Sequence, residues 1–443
     1  MSPRSARATR RSFRWTLPHH EQVLPSGLRV IVVPRESSHR AVVTMLFRVG
    51  SRFENAENNG ISHFLEHMLY RGTPSYKTAH AQALAFEQLG ASLYAATQSD
   101  YGTMNLSLPP ESLAKALPIF AEVVQAPRFS AIEVERGIVR EEILEDLDEE
   151  GRQIDADNLS RQVVYPSHPL GFTITGPVEH LATFDKRALN QHHARHYNAA
   201  NAVLCFAGQV DASACFKLAR RLFADLPTGQ RVESVRPANT QKKARLRHVD
   251  NVSSQTTLRV AFRAVGDDDR REPALEMLLR VLDDGMSTRL YERLCDTKGL
   301  CYDVGALYES YEDDGVFDVA AEAQHDRAGV VLREILNLLR ELSAKGPSAD
   351  ELERAKDRDL WSTQAMLDDV DGLSNYYALA ALADLAETPA QRHEQLRAVT
   401  ARDVRDAAEL VFRAERMSVI TVGAQSAAQR DALRATVDRF AKA

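Results

Sequence analysis

The 443-residue chain is poor in the features that mark several simple functional classes. Its four cysteines, at 205, 215, 295 and 301, include no C-x-x-C pair, so neither a thiolate zinc site nor a disulfide framework is indicated. Such usage fits a reducing compartment; cytoplasmic placement is expected, with the mitochondrial matrix or the periplasm as alternatives. No apolar run approaches the roughly 20 residues needed to cross a bilayer. The formal net charge is −7 and basic clusters are short, as at 242–247, which excludes a nucleic-acid binder relying on counterion release. Acidic residues are missing from 1–18, which hold five arginines (4, 7, 10, 11 and 14). Without an apolar core this segment reads as a basic tail or a transit peptide, not a secretory signal. Neither a G-x-S-x-G elbow nor a glycine-rich phosphate loop occurs.

What the chain does have, it has twice. Residues 129–143, FSAIEVERGIVREEI, resemble 347–361, PSADELERAKDRDLW, 218 positions later. Ser130, Glu133, Glu135 and Arg136 fall on Ser348, Glu351, Glu353 and Arg354. Both segments begin S-x-x-E, the pattern of a capping box, so each is expected to open a helix. The same offset lays Met68 on Met286 and Arg71 on Arg289. Nearby offsets pair TMLFRVG (44–50) with LRVAFRAVG (258–266), and NAVLCFAGQ (201–209) with MSVITVGAQ (417–425); these read as strands. Segments 111–125 and 327–342 carry apolar residues at helical spacing. The expectation is a duplicated α+β unit: a basic tail (1–18), a first domain (19–228) and a second (229–443), joined through the polar stretch 227–250.

One stretch carries chemistry. In GISHFLEHMLYRGT (60–73), Asn59 and Gly60 suit a helix entry, and Gly72 before Pro74 suits an exit. His63 and His67 stand four apart on one face, roughly 6 Å from each other, a spacing that suits two imidazoles on one zinc ion. Glu66 is placed to reach a metal-bound water. A third ligand is needed, and Glu142 is a candidate, with Glu135 two helical turns before it on the same face. In the second copy these positions become Val281, Asp284, Gly285 and Leu360, so the fold itself does not demand the polar residues. The cluster His192, His193 and His196 precedes a strand and is read as packing, as is the pair Cys295 and Cys301.

With these residues the chain resembles the pitrilysin-type (inverzincin) zinc metallopeptidases, marked by H-x-x-E-H. The likeness extends through LPSGLRVIVVP (24–34), ERGIVREEI (135–143), HPLGFTITGP (168–177), HYNAANAVLCFAGQVD (196–211), GMSTRLYERL and GLCYDV. The resemblance implies two similar α+β domains, each an antiparallel sheet packed with helices. It implies a zinc endopeptidase with His63, His67 and Glu142 as ligands, Glu66 as general base and Glu135 assisting from behind a ligand. It places the substrate along 90–100, at Tyr94 and Ala95, and near Tyr302. Two departures stand out: Tyr94 occupies a position where relatives commonly have asparagine, and Cys295 stands where they have an arginine seven residues before the tyrosine. The second departure implies a heterodimer whose metal-free partner supplies the Arg/Tyr pair, with a homodimer second. A non-peptidase interaction subunit is the alternative from another class.

Overall fold

The computed structural model describes residues 17–385 and 387–442; most of the basic tail lies outside them. The first six strands are β1 (His20–Val23), β2 (Arg29–Pro34), β3 (Ala41–Phe47), β4 (Ser92–Thr97), β5 (Gly102–Leu108) and β6 (Ala202–Gly208). They form a sheet in the order β1-β2-β6-β3-β5-β4, with β2 and β6 parallel and the other neighbours antiparallel. A second sheet is built from β7 (Arg245–Val249), β8 (Thr256–Ala264), β9 (Val304–Ser310), β10 (Gly315–Ala323) and β11 (Met417–Val422). Its order is β7-β11-β8-β10-β9, again with one parallel pair, β7 and β11. Without β1, the first order maps onto the second strand for strand, parallel pair included. The polar stretch expected as a connection therefore ends in a strand, β7, after an irregular run from 227 to 244.

Helices follow the same plan. The first copy has α1 (Ile61–Met68), α2 (Ala79–Glu87), α3 (Leu113–Gln125), α4 (Ile132–Glu145), α5 (Ala156–Val164), α6 (Lys186–His196) and α7 (Ala212–Leu222). The second has α8 (Glu272–Leu282), α9 (Arg289–Tyr291) running into a π-helical turn (Glu292–Thr297), α10 (Ala328–Lys345), α11 (Ala349–Asp368), α12 (Val370–Leu382), α13 (Pro389–Ala398), α14 (Ala401–Val411) and α15 (Ala427–Lys442). None of the described helices is long and apolar enough to cross a membrane.

Strand β3 is buried along its whole length because both faces of its sheet are covered. Val43, Met45 and Phe47 face the core containing α1, α3 and α4. Leu46, with Ile31, Val33, Val203 and Cys205, instead meets Leu373, Tyr377 and Ala378 of α12, a helix of the other copy. Polar groups in that layer find partners across it: buried Ser374 donates to Thr44 Oγ1 at 2.8 Å, and Arg29 of β2 donates to the Ala381 carbonyl of α12 at 2.8 Å. The reverse holds as well, for Ala156 and Leu159 of α5 pack on Ile420 and Val422 of β11. Helices α5 and α12 occupy equivalent places in the repeat, so each copy lends the same helix to the other's sheet.

Candidate metal centre

Helix α1 starts where two loops cross. Gly60 has φ of 97°, and a Cβ there would stand 2.4 Å from the Thr175 carbonyl oxygen; a Cβ on Gly176 would stand 2.3 Å from that of Asn59. Only glycine fits either position. The carboxylate of buried Glu54 then caps the helix, accepting from the Gly60 and Ser62 amides at 2.8 Å each and from Asn59 Nδ2 at 3.0 Å. A negative group at this end opposes the helix dipole's positive pole, although burial pushes its pKa up against those bonds. Ile61, Phe64, Leu65 and Met68 anchor the helix in the core. It ends at Met68, earlier than Gly72 implied, but His63, Glu66 and His67 all lie within it.

The partner helix, α4, does not begin with the capping box expected at Ser130. Phe129 and Ala131 adopt positive φ of 50° and 58°, so the helix starts after Ala131 without a side-chain cap. The Ser130 hydroxyl donates instead to the Arg71 carbonyl at 2.6 Å, tying α4 to the segment after α1, and Glu133 pairs with Arg136. In the second copy Ser348 and Glu351 do form the box.

Between the two helices, ligand atoms of His63, His67 and Glu142 lie within 4.8 Å of one another, the one such group among the described residues. His63 Nε2 is 3.3 Å from Glu142 Oε1, and His67 Nε2 is 3.4 Å from Oε2. Two atoms each about 2.0–2.1 Å from a tetrahedral zinc ion sit roughly 3.3–3.4 Å apart, so the donor set and its spacing fit that ion. Glu135 Oε1 engages His67 Nδ1 at 2.9 Å, which leaves Nε2 for the centre, and Arg71 holds the other oxygen of Glu135. His63 Nδ1 is buried with no protein partner. Burial would lower the pKa of His67, but Glu135 and Glu142 outweigh it and raise it to about 9. The histidines draw Glu142 well below the usual carboxylate range, and Glu135 is lowered by His67 and Arg71 despite burial. A cation bound here would take the place of the proton that these carboxylates favour on His67.

Glu66 is joined to the first sheet: Thr97 Oγ1 donates to its Oε2 at 2.7 Å. Thr97 ends β4, the free edge of that sheet, on which Tyr94 is 61% exposed and Ala95 is buried. Tyr302 is not brought to this cluster; its ring is 92% exposed in the segment before β9. Cys295 lies in the π-helical turn with its sulfur 3.8 Å from that of Cys301, both thiols free. Arg293 is spent on Glu341, at 3.0 and 2.6 Å. His192, His193 and His196 bond Ser62, the Val124 carbonyl and the Arg48 carbonyl, and burial lowers the pKa of each. Their surroundings are those of packed neutral rings. Sequence reasoning missed Glu54, Thr97 and the reach of Arg71; of these, only the recurrence of Arg71 at Arg289 was a signal.

Comparison with known proteins bears on this cluster. A model described as Insulinase (Peptidase family M16) matches residues 29–178, and one described as Peptidase M16 inactive domain matches 183–358. An uncharacterized zinc protease of Rickettsia felis is 31% identical over 336 residues, covering 75% of this chain and 80% of its own. The chain belongs to peptidase family M16. Relatives bearing the same description include one from Mycobacterium tuberculosis, 30% identical over 339 residues (75% of this chain, 76% of that one). Another is YmxG of Bacillus subtilis, 28% identical over 336 residues (75% and 80%). Among solved structures, a peptidase M16 inactive domain from Pseudomonas fluorescens matches with TM-score 0.85 at 22% identity, covering 93% of this chain and 100% of that one. A Helicobacter pylori protease gives 0.84 at 21% identity, covering 92% and 99%. At such identities the likeness establishes the M16 α+β fold. Within the M16 chain, His63, Glu66, His67, Glu135 and Glu142 all fall in the segment matched by the first model.

Proposed function

We propose that this M16 chain is a zinc-dependent endopeptidase acting on peptides or unfolded segments, one zinc per chain, as the catalytic member of a dimer. The observation that carries the reading is the convergence of His63, His67 and Glu142 beside Glu66, next to the open edge of β4. These three residues would hold the ion, which when bound polarises a carbonyl and lowers the pKa of its water towards about 7. Glu66, fixed on one oxygen by Thr97, accepts the proton of the attacking water and returns it to the leaving amine. Backbone groups of β4 take the substrate as an added strand, with Tyr94 and Ala95 alongside it, a mode that asks little of its sequence.

A partner subunit is supported by two residues. Cys295 cannot offer the hydrogen-bond fork of a guanidinium, and Tyr302 stands in solvent away from the cluster. A homologous, metal-free chain bearing an Arg/Tyr pair would supply both groups; a second copy of this chain is the lesser possibility.

The test is zinc content and peptide hydrolysis of the purified protein. About one zinc per chain is expected, lost in His63→Ala; Glu66→Gln should keep zinc and lose hydrolysis. Normal cleavage by Glu66→Gln would overturn the assignment of the base. Full activity of the chain alone would remove the need for a partner.

A further inference from the structure

Arg71 follows α1, and the proposed reaction gives it no task. Its Nε donates to Glu135 Oε2, while Oε1 of the same carboxylate meets His67 Nδ1 at 2.9 Å. Its carbonyl accepts the Ser130 hydroxyl at 2.6 Å, so backbone and side chain are both tied to the beginning of α4. Glu135 is buried and Arg71 mostly so. A carboxylate gripped on its far oxygen by a guanidinium cannot swing off the imidazole without breaking a charge-assisted bond.

The second copy provides an internal comparison. Arg289, the counterpart of Arg71, takes both oxygens of Glu351, at 2.6 and 2.8 Å. Glu351 is the counterpart of Glu133, not of Glu135, and the position matching His67 is Gly285. An arginine-to-carboxylate tie is thus present at the same junction in both copies. In the first copy alone the carboxylate lies two residues further along, and the arginine leaves one of its oxygens for a histidine.

We propose that Arg71 is a positioning residue of the metal centre: by clamping Glu135 it holds His67 with Nδ1 bonded and Nε2 turned towards Glu142, and so sets the affinity for the ion. This rests on reading the cluster as a zinc site. The experiment measures zinc affinity by competition with a chromophoric chelator, and the unfolding midpoint of the metal-free protein, for wild type, Arg71→Gln, Arg71→Lys and Arg289→Gln. Arg71→Gln should bind zinc about 10- to 100-fold more weakly, the usual cost of losing a group that orients a ligand. Arg289→Gln should lower the midpoint by a similar amount to Arg71→Gln yet keep wild-type zinc affinity. Wild-type affinity in Arg71→Gln, or an equal loss in Arg289→Gln, overturns the inference and leaves the zinc site standing. Should Arg71→Gln fail to fold, Arg71→Lys carries the test: it keeps the charge but not the grip, and undiminished affinity overturns the proposal. A wild-type protein that takes up no zinc overturns the site and this inference together.

Discussion

Truncating Leu373 to alanine tests whether the exchanged helices couple the two copies. Leu373 sits on α12 of the second copy and is fully buried against Ile31, Val33 and Leu46 of the first sheet. The substitution removes three carbons, about 2.4 kcal/mol at roughly 0.8 kcal/mol per buried methylene. The cavity adds to this because β2, β3 and β6 are tied by their ladders and cannot collapse into it, bringing the cost to about 3–4 kcal/mol. The assay is urea unfolding followed by circular dichroism, together with amide hydrogen exchange of peptides spanning β3 and β6. The midpoint should fall, and exchange should quicken in the first sheet although the altered residue lies far along the chain in the second copy. Leu159→Ala, on α5, should act in mirror image on β11. Unchanged exchange in β3 and β6, with protection lost only in α11 to α15, would refute the coupling.

Three other outcomes follow from individual contacts. Arg289 lowers the Glu351 pKa from 4.5 to about 2. A depressed carboxylate stabilises the fold above its unfolded pKa and loses that contribution as pH falls through the folded value. Arg289→Gln should therefore cost about 1–2 kcal/mol at pH 7, allowing for screening of a partly exposed pair, and the deficit should shrink from pH 4.5 towards about 2 in pH-dependent denaturation. Ser348→Ala should cost about 0.5–2 kcal/mol and speed amide exchange in the first turn of α11. Ser130→Ala should cost about 0.5–1.5 kcal/mol, the worth of one hydrogen bond, without fraying α4; faster exchange at 132–135 would contradict the interhelical role of that hydroxyl.

Much of the architecture was legible because the chain states it twice. Apolar stretches at 44–50, 201–209, 258–266 and 417–425 became β3, β6, β8 and β11, since strand-forming residues that recur at one spacing describe one sheet repeated. The His63/His67 spacing is a local property of a helix and was equally readable. Less visible were features that depend on how helices meet. The S-x-x-E pattern at Ser130 looked like its twin at Ser348, yet positive φ on either side of Ser130 turns the hydroxyl to Arg71. Nothing local tells α5 or α12 which sheet it will cover, because an apolar face such as that of Ala156 and Leu159 suits either. Thr97 reaches Glu66 only once β4 is laid against α1, a pairing that no spacing along the chain encodes.

Strands β4 and β9 each finish a sheet with no further strand on the outer side, although the Ala306 amide of β9 donates to Asp283 Oδ2 at 2.7 Å. Such a margin is a template for any extended chain, including a copy of the protein itself. Exposed Tyr94 and Leu307 add adhesive surface to these margins. Such a margin predicts self-association that grows with concentration and recedes when a short extended peptide is added to fill the border.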